Sequence, residues 1–173
     1  GIKAAPDLYE RLAITDVRNM TPGTQPQVRF TISNRSGPVD ITTLNRVAIV
    51  FAGPTADYSQ LISTGNRYTI RGTGAIGTLT TNGVGDYTFA PNGYVIPATA
   101  SGTWSVGMEA RTNSIPTGST NTSFGANNPV VHIDLTSGNL GGGSPAPRRA
   151  AVDEAKCNAC HDDLRMHGNT RTE

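Results

Sequence analysis

A chain of 173 residues is long enough for one domain with its own core, plus an appendage. Its 36% hydrophobic and 6% aromatic content, with 20 Gly and 11 Pro, favours short strands and many turns over long helices. With 14 basic against 13 acidic residues the formal charge is +1, which makes no electrostatic case for nucleic acid or an anionic membrane as the main partner. No apolar run approaches the roughly 18 residues of a membrane-spanning helix.

Residues 1–138 read as a β domain of short strands. A weak strand signal covers Leu12–Val17. Val28, Phe30 and Ile32 then alternate with Gln27, Arg29 and Thr31, a period of two with one face buried. Val47, Ile49 and Phe51 repeat the pattern. Further weak signals lie at Tyr68–Arg71 and Tyr87–Ala90. Trp104, Val106, Met108 and Ala110 oppose Thr103, Ser105, Glu109 and Arg111. The last strand points Val131, Ile133 and Leu135 inward, which turns His132 and Asp134 outward. Ser36-Gly37-Pro38, Gly53-Pro54, Asn82-Gly83 and Asn92-Gly93 mark turns between these runs. About seven such strands predict a sandwich or a small Greek-key barrel, and both remain open at this point.

Residues 139–149 have the composition of a linker, Gly-rich and then Pro-rich in Asn139-Leu140-Gly141-Gly142-Gly143-Ser144-Pro145-Ala146-Pro147. The domain boundary is expected there. Residues 150–173 change character. Asp153 and Glu154 suit a helix N-terminus, Gly168 suits its stop, and a short helix is expected from Val152 to about Met166.

That segment carries Cys157-Asn158-Ala159-Cys160-His161, the only two cysteines of the chain. Cys-x-x-Cys-His is the attachment sequence of a c-type haem. Two thiols three residues apart on one helical turn can each add to a vinyl group, and the adjacent imidazole then meets the iron from the same side. A disulfide, a thioredoxin-like pair or half of a zinc site also fit a bare Cys-x-x-Cys. The redox pair belongs near a βαβ pattern, which is lacking here. Zinc wants four ligands, and the chain adds only His132 and His167. Arg148, Arg149, Lys156 and Arg165 are near enough in sequence to pair with haem propionates.

His167 follows His161 by six positions, about 9 Å along a helix and about 120° around it. So short a connection cannot place both imidazoles on opposite faces of one porphyrin, and the same geometry excludes Met166. His167 is therefore expected to ligate a neighbouring haem or to be a surface histidine. His132 is the other imidazole that could reach this iron, as a distal ligand from across the domain boundary. Gly72-Thr73-Gly74-Ala75-Ile76-Gly77 matches G-x-G-x-x-G, but Thr78–Gly83 is a poor helix, so a hairpin is the expected meaning. Asn19, Asn34 and Asn121 begin glycosylation-type triplets that an Asn/Thr-rich chain produces by chance. No catalytic triad is legible, and no catalytic residue is assigned.

The block from Arg148 to Glu173, with Cys157-Asn158-Ala159-Cys160-His161-Asp162-Asp163-Leu164-Arg165-Met166-His167-Gly168, closely resembles the OmcA/MtrC family of outer-surface decahaem cytochromes. That family often shows Cys-x-x-Cys-His-x-x-Leu-x-x-His-Gly after an N-terminal β domain. Tyr87-Thr88-Phe89, Gly102–Arg111 and Asn128-Pro129-Val130-Val131 fit the resemblance upstream. It implies a Greek-key split β-barrel leading into a first haem module. Cys157 and Cys160 would carry the thioethers of haem c, His161 would be the proximal iron ligand, and His167 an axial ligand to a nearby haem. Family members pass electrons across the cell surface to minerals, soluble metals, flavins or partner cytochromes. The family has many haem motifs where this sequence has one, so a fragment or a processed or incompletely read chain is expected.

The function expected is thus electron transfer through a low-spin haem with two histidine ligands. The protein would be a carrier, not an enzyme, with terminal metal reduction a property of the full-length protein. Two other classes stay open: a haem sensor or enzyme with a vacant sixth position, and a surface-binding or partner-docking β module with the haem as appendage. Haem attachment takes place outside the cytoplasm. Gly1-Ile2-Lys3-Ala4-Ala5-Pro6 is not a signal peptide, so an export signal is expected to have been removed or left out. The expected location is the cell surface, outer membrane or extracellular space, with the periplasm as the alternative.

Overall fold

The computed structural model describes residues 10–59, 67–71, 77–114 and 122–148. The short helix expected at Val152–Met166, and with it Cys157, Cys160, His161 and His167, lies outside these residues. The described residues form two antiparallel sheets. The first contains β1 (Arg11–Arg18), β2 (Gln27–Asn34), β3 (Gly37–Pro38), β6 (Thr78–Gly83) and β7 (Asp86–Ala90). The second contains β4 (Arg46–Ala52), β5 (Arg67–Arg71), β8 (Thr103–Ser114), β9 (Thr122–Gly125) and β10 (Val130–Asp134). The order is β1-β2-β7-β6 in the first, with β3 on β2, and β10-β8-β4-β5 in the second, with β9 on β8.

Both sheets bury their alternating apolar face in one common core. Val28, Phe30 and Ile32 from β2 and Tyr87 and Phe89 from β7 meet it from one side. Val47, Ile49 and Phe51 from β4, with Trp104, Val106, Met108 and Ala110 from β8, meet it from the other. Phe30 and Tyr87 lie with ring centroids 5.7 Å apart, and Phe51 stacks on Tyr94 at 5.6 Å. These are the spacings at which aromatic pairs add stability beyond the area they bury.

The sheets are not closed into a barrel. Beside β1 the seam is bridged by groups other than a paired strand. The Leu12 N–H donates to Asn127 Oδ1 at 2.7 Å, and Asn127 Nδ2 donates to the Leu12 carbonyl at 2.9 Å. One amide side chain thus takes the place of a strand partner. Further along, Leu140 N–H donates to Val17 O and Met20 N–H to Gly138 O, each at 2.9 Å. Leu12 and Val17 on the β1 edge are thus satisfied without a neighbouring strand. The barrel expectation is corrected, and two open sheets over one core are the sandwich alternative.

Smaller differences have local causes. Thr78–Gly83, expected only as part of a flexible hairpin, is strand β6, and Gly77 is followed by that strand and not by the helix a dinucleotide site requires. The β6–β7 turn falls at Val84-Gly85, just past the Asn82-Gly83 signal. Gly53 is required by packing, because a Cβ there would lie 2.3 Å from the Trp104 ring.

Two outcomes are expected. Gly53→Ala should lower stability by about 1–3 kcal/mol, the usual range for overpacking, seen as a lower urea midpoint with unchanged slope. Asn127→Ala, which loses two hydrogen bonds at the seam, should cost about 1–2 kcal/mol in the same titration.

Candidate functional site

The strands of the second sheet present a face away from the core whose side chains are fixed by register. Val50, Gly107 and Val130 form one cross-strand row, because Val50 pairs with Gly107 and Gly107 with Val130. Ala52, Ser105 and His132 form the next, and Ala48 and Glu109 flank them on the other side. The outer face of a sandwich sheet is normally polar and wet. Here it is apolar at Ala48, Val50, Ala52 and Val130. Ala48 is 0% exposed, Thr103 and Ser105 7% and Glu109 6%, so much of this face is covered.

Two segments lie over its Thr103–Ser105 part. The loop after β4 is anchored by Thr55 N–H to the Thr103 carbonyl and by Tyr58 N–H to the Pro54 carbonyl, each at 2.7 Å. Tyr58 adopts φ 53°, a left-handed conformation rare for a bulky residue. Its hydroxyl lies 3.0 Å from Ser105 Oγ.

Residues 139–148 have the composition of a linker and the contacts of a strap. Ser144 N–H donates to Asp134 Oδ2 at 2.9 Å, and Ala146 N–H to Thr103 Oγ1 at 2.9 Å. Thr55 Oγ1 donates to the Ala146 carbonyl at 2.6 Å. The Arg148 guanidinium ends the strap 5.3 Å above the centre of the Tyr58 ring, within cation–π range. Asp134 is the hub of this clasp. The Ser144 N–H, then the Thr136 N–H and hydroxyl, hold its carboxyl below the ordinary aspartate range. Gly143 sits so close, at φ +67°, that a Cβ would fall 2.6 Å from Asp134 Oδ2.

His132 faces outward, as its alternation requires, but half-buried. Its Nδ1 lies 3.1 Å from Ser105 Oγ, so Tyr58, Ser105 and His132 form a continuous side-chain chain. Burial pushes the imidazolium down from its ordinary value, which favours the neutral ring near pH 7. Neutral imidazole is the metal-ligating form, and an Nδ1 engaged by a hydroxyl leaves Nε2 as the ligating nitrogen. Among the described residues no three His, Cys, Asp or Glu side chains group around a common metal position.

Between the strands, the loop and the strap lies an open groove of about 500 Å³. Val50, Ala52, Gly107 and Val130 line it from the sheet, and Tyr58 and Arg148 from the covering segments. Of these only Arg148 was legible as a site residue, from its charge beside the cysteine motif. Tyr58 carries no signal in sequence. Gly107 carried one, a glycine inside the strongest strand pattern of the chain.

No family model matches the sequence, and none of the curated proteins matches it. Two solved structures are similar to the chain. MtrC from Shewanella baltica OS185 is 21% identical over 92% of this chain and 27% of its own, with a TM-score of 0.58. The outer membrane decahaem cytochrome OmcA is 16% identical over 95% of this chain and 28% of its own, with a TM-score of 0.56. The chain thus spans little more than a quarter of the length of either.

The clasp has a direct test. A carboxyl with a depressed folded pKa contributes fully above its unfolded value and loses its contribution as pH falls through the folded one. The Ser144 amide proton should therefore titrate with a midpoint below the ordinary aspartate value of about 3.9. Asp134→Asn should abolish that titration in amide NMR spectra, and a midpoint at or above the ordinary value would remove Asp134 as the clasp. What the two neighbours establish at these identities is the fold, and it is a fold that this chain shares with MtrC and OmcA.

Proposed function

We propose that the chain transfers electrons through a haem c held by thioethers at Cys157 and Cys160, with His161 as proximal ligand. One coincidence carries the reading: Cys-x-x-Cys-His stands in a chain whose fold is shared with a protein described as an outer membrane decahaem cytochrome. The donor set suits the group, since two thiols and an adjacent imidazole are what covalent attachment and axial ligation use. When bound there, it supplies a one-electron iron couple.

The chain's own residues then have separate tasks. Cys157 and Cys160 would hold the group covalently and His161 would ligate its iron. His167, displaced by six residues, would serve a neighbouring haem. His132 is the imidazole of the β domain available as a distal ligand, with Nδ1 held by Ser105. Two histidine ligands without methionine give a lower potential than a His/Met pair. No substrate bond is made or broken, so the protein acts as a carrier.

The fold likeness favours an exported protein at the cell surface. Its exchange partners would be other haems or cytochromes, with extracellular metals, minerals or flavins as final acceptors of the whole protein. No helix among the described residues is long and apolar enough to cross a membrane.

Intact mass and absorption of the holoprotein test the reading together. The expected result is polypeptide plus haem with low-spin bands, and loss of the covalent haem mass in a Cys157→Ala, Cys160→Ala variant. A native protein whose mass contains no haem would return the two cysteines to zinc or disulfide chemistry.

A further inference from the structure

Gly107 is the residue of the second sheet that the fold itself does not explain. It lies within β8, paired on both sides with Val50 and Val130. A Cβ at this position would meet only Val130 Cγ2 at 3.6 Å and the Pro129 carbonyl at 4.0 Å, both ordinary contacts. Neither packing nor a left-handed φ asks for glycine, in contrast to Gly53 and Gly143. A glycine inside a strand weakens it and commonly marks a close approach by a ligand or another backbone. Above Gly107 lies the open groove, flanked in the same row by Val50 and by Val130, which is 47% exposed.

We propose that this face seats the haem carried at Cys157 and Cys160, over Gly107 and between Val50 and Val130. The assignment rests on the haem reading given above. The strap points to this occupant. Its Arg148 lines the groove, and Cys157 follows nine residues later in the sequence. Nine residues span at most about 32 Å even when fully extended, so the face is within reach of the attachment point. The chemistry agrees. An apolar floor accepts an apolar macrocycle, and a groove of about 500 Å³ falls in the size range of cofactor sites.

The rim fits the polar part of the same group. The Arg148 guanidinium beside Tyr58 is a charge-assisted donor for a propionate. Asp57, which also lines the groove, accepts the Ser59 N–H at 2.9 Å and is held ionised by it, so a propionate would lie on the Arg148 side of the rim. The left-handed Tyr58, held by Ser105 and Arg148, is the kind of locally strained residue that collects at ligand clamps.

The test compares holoproteins carrying Gly107→Leu and Arg148→Gln with the native one and with Thr80→Leu on the exposed strand β6. A Cβ at 107 meets only ordinary contacts and Arg148 is exposed, so both variants are expected to fold, which the haem count by intact mass and a native far-ultraviolet dichroism check. Intact mass counts the haem in each. Gly107→Leu is expected to change the Soret circular dichroism amplitude at least twofold and to shift the midpoint potential. Arg148→Gln is expected to lower the midpoint, because a nearby cation favours the reduced iron. Thr80→Leu should leave both readouts native.

Haem-loaded Gly107→Leu and Arg148→Gln proteins with native dichroism and native midpoints would overturn the proposal and leave the electron-transfer reading standing. A native protein without haem would sink both. A change in sedimentation without a change in the haem spectrum would also overturn it, and would make the face a contact between copies of the chain.

Discussion

The outer face of the second sheet depends on one contact inside the core, Trp104 against the backbone of Gly53. The indole is fully buried and lies where any side chain at 53 would have to go. That approach presses the start of the loop onto β8, and Thr55 N–H then reaches the Thr103 carbonyl. From there the order propagates outward. Thr55 bonds the strap at Ala146, Tyr58 bonds Ser105, and Arg148 comes to rest over Tyr58. An apolar contact on the inner side of β8 thereby fixes polar groups on its outer side. Close-packed interiors transmit such constraints because they contain few voids in which to absorb them.

The same sheet shows why a strand's composition says more than its period. In β4 the alternation of Val47, Ile49 and Phe51 identifies the face toward the first sheet. The complementary set, Ala48, Val50 and Ala52, is apolar as well. A strand with that near-continuous apolar run is one covered on both faces. Ala48 is covered by its neighbours, whereas Val50 and Ala52 border the groove. The outer face is thus only partly closed by the described residues, and the opening lies where the strap ends.

The sequence made the inner architecture legible and most of the outer one illegible, for physical reasons. Period-two burial is local, so strands β1, β2, β4, β5, β7, β8 and β10 could be read from a few residues each. Barrel against sandwich could not, because it turns on whether the β1 edge meets a strand or a side chain. Asn127, 115 residues from Leu12, decides that. The outward direction of His132 followed from alternation, but its partial burial came from elements distant in sequence. The contacts of residues 139–148 could not be read from composition, which describes them only as a linker. Glycines at 141 and 143 and prolines at 145 and 147 describe a flexible tether, yet Asp134 and Thr103 anchor Ser144 and Ala146 by hydrogen bonds. Even the glycines divide: Gly143 is there to make room for Asp134.

Anchoring the strap changes what the downstream motif can do. Were residues 139–148 a free tether from the domain boundary, Cys157 would hang on about 18 residues, with a reach of roughly 60 Å. Counted from Arg148, the maximum reach is that of nine residues, about half. The effective concentration of a tethered group near its anchor rises roughly as the −3/2 power of tether length, so halving the tether raises it about threefold. That gain is present before any direct contact forms. The Asp134 clasp and the Thr55–Ala146–Thr103 bonds therefore limit how far the motif can lie from the second sheet without contacting the motif itself.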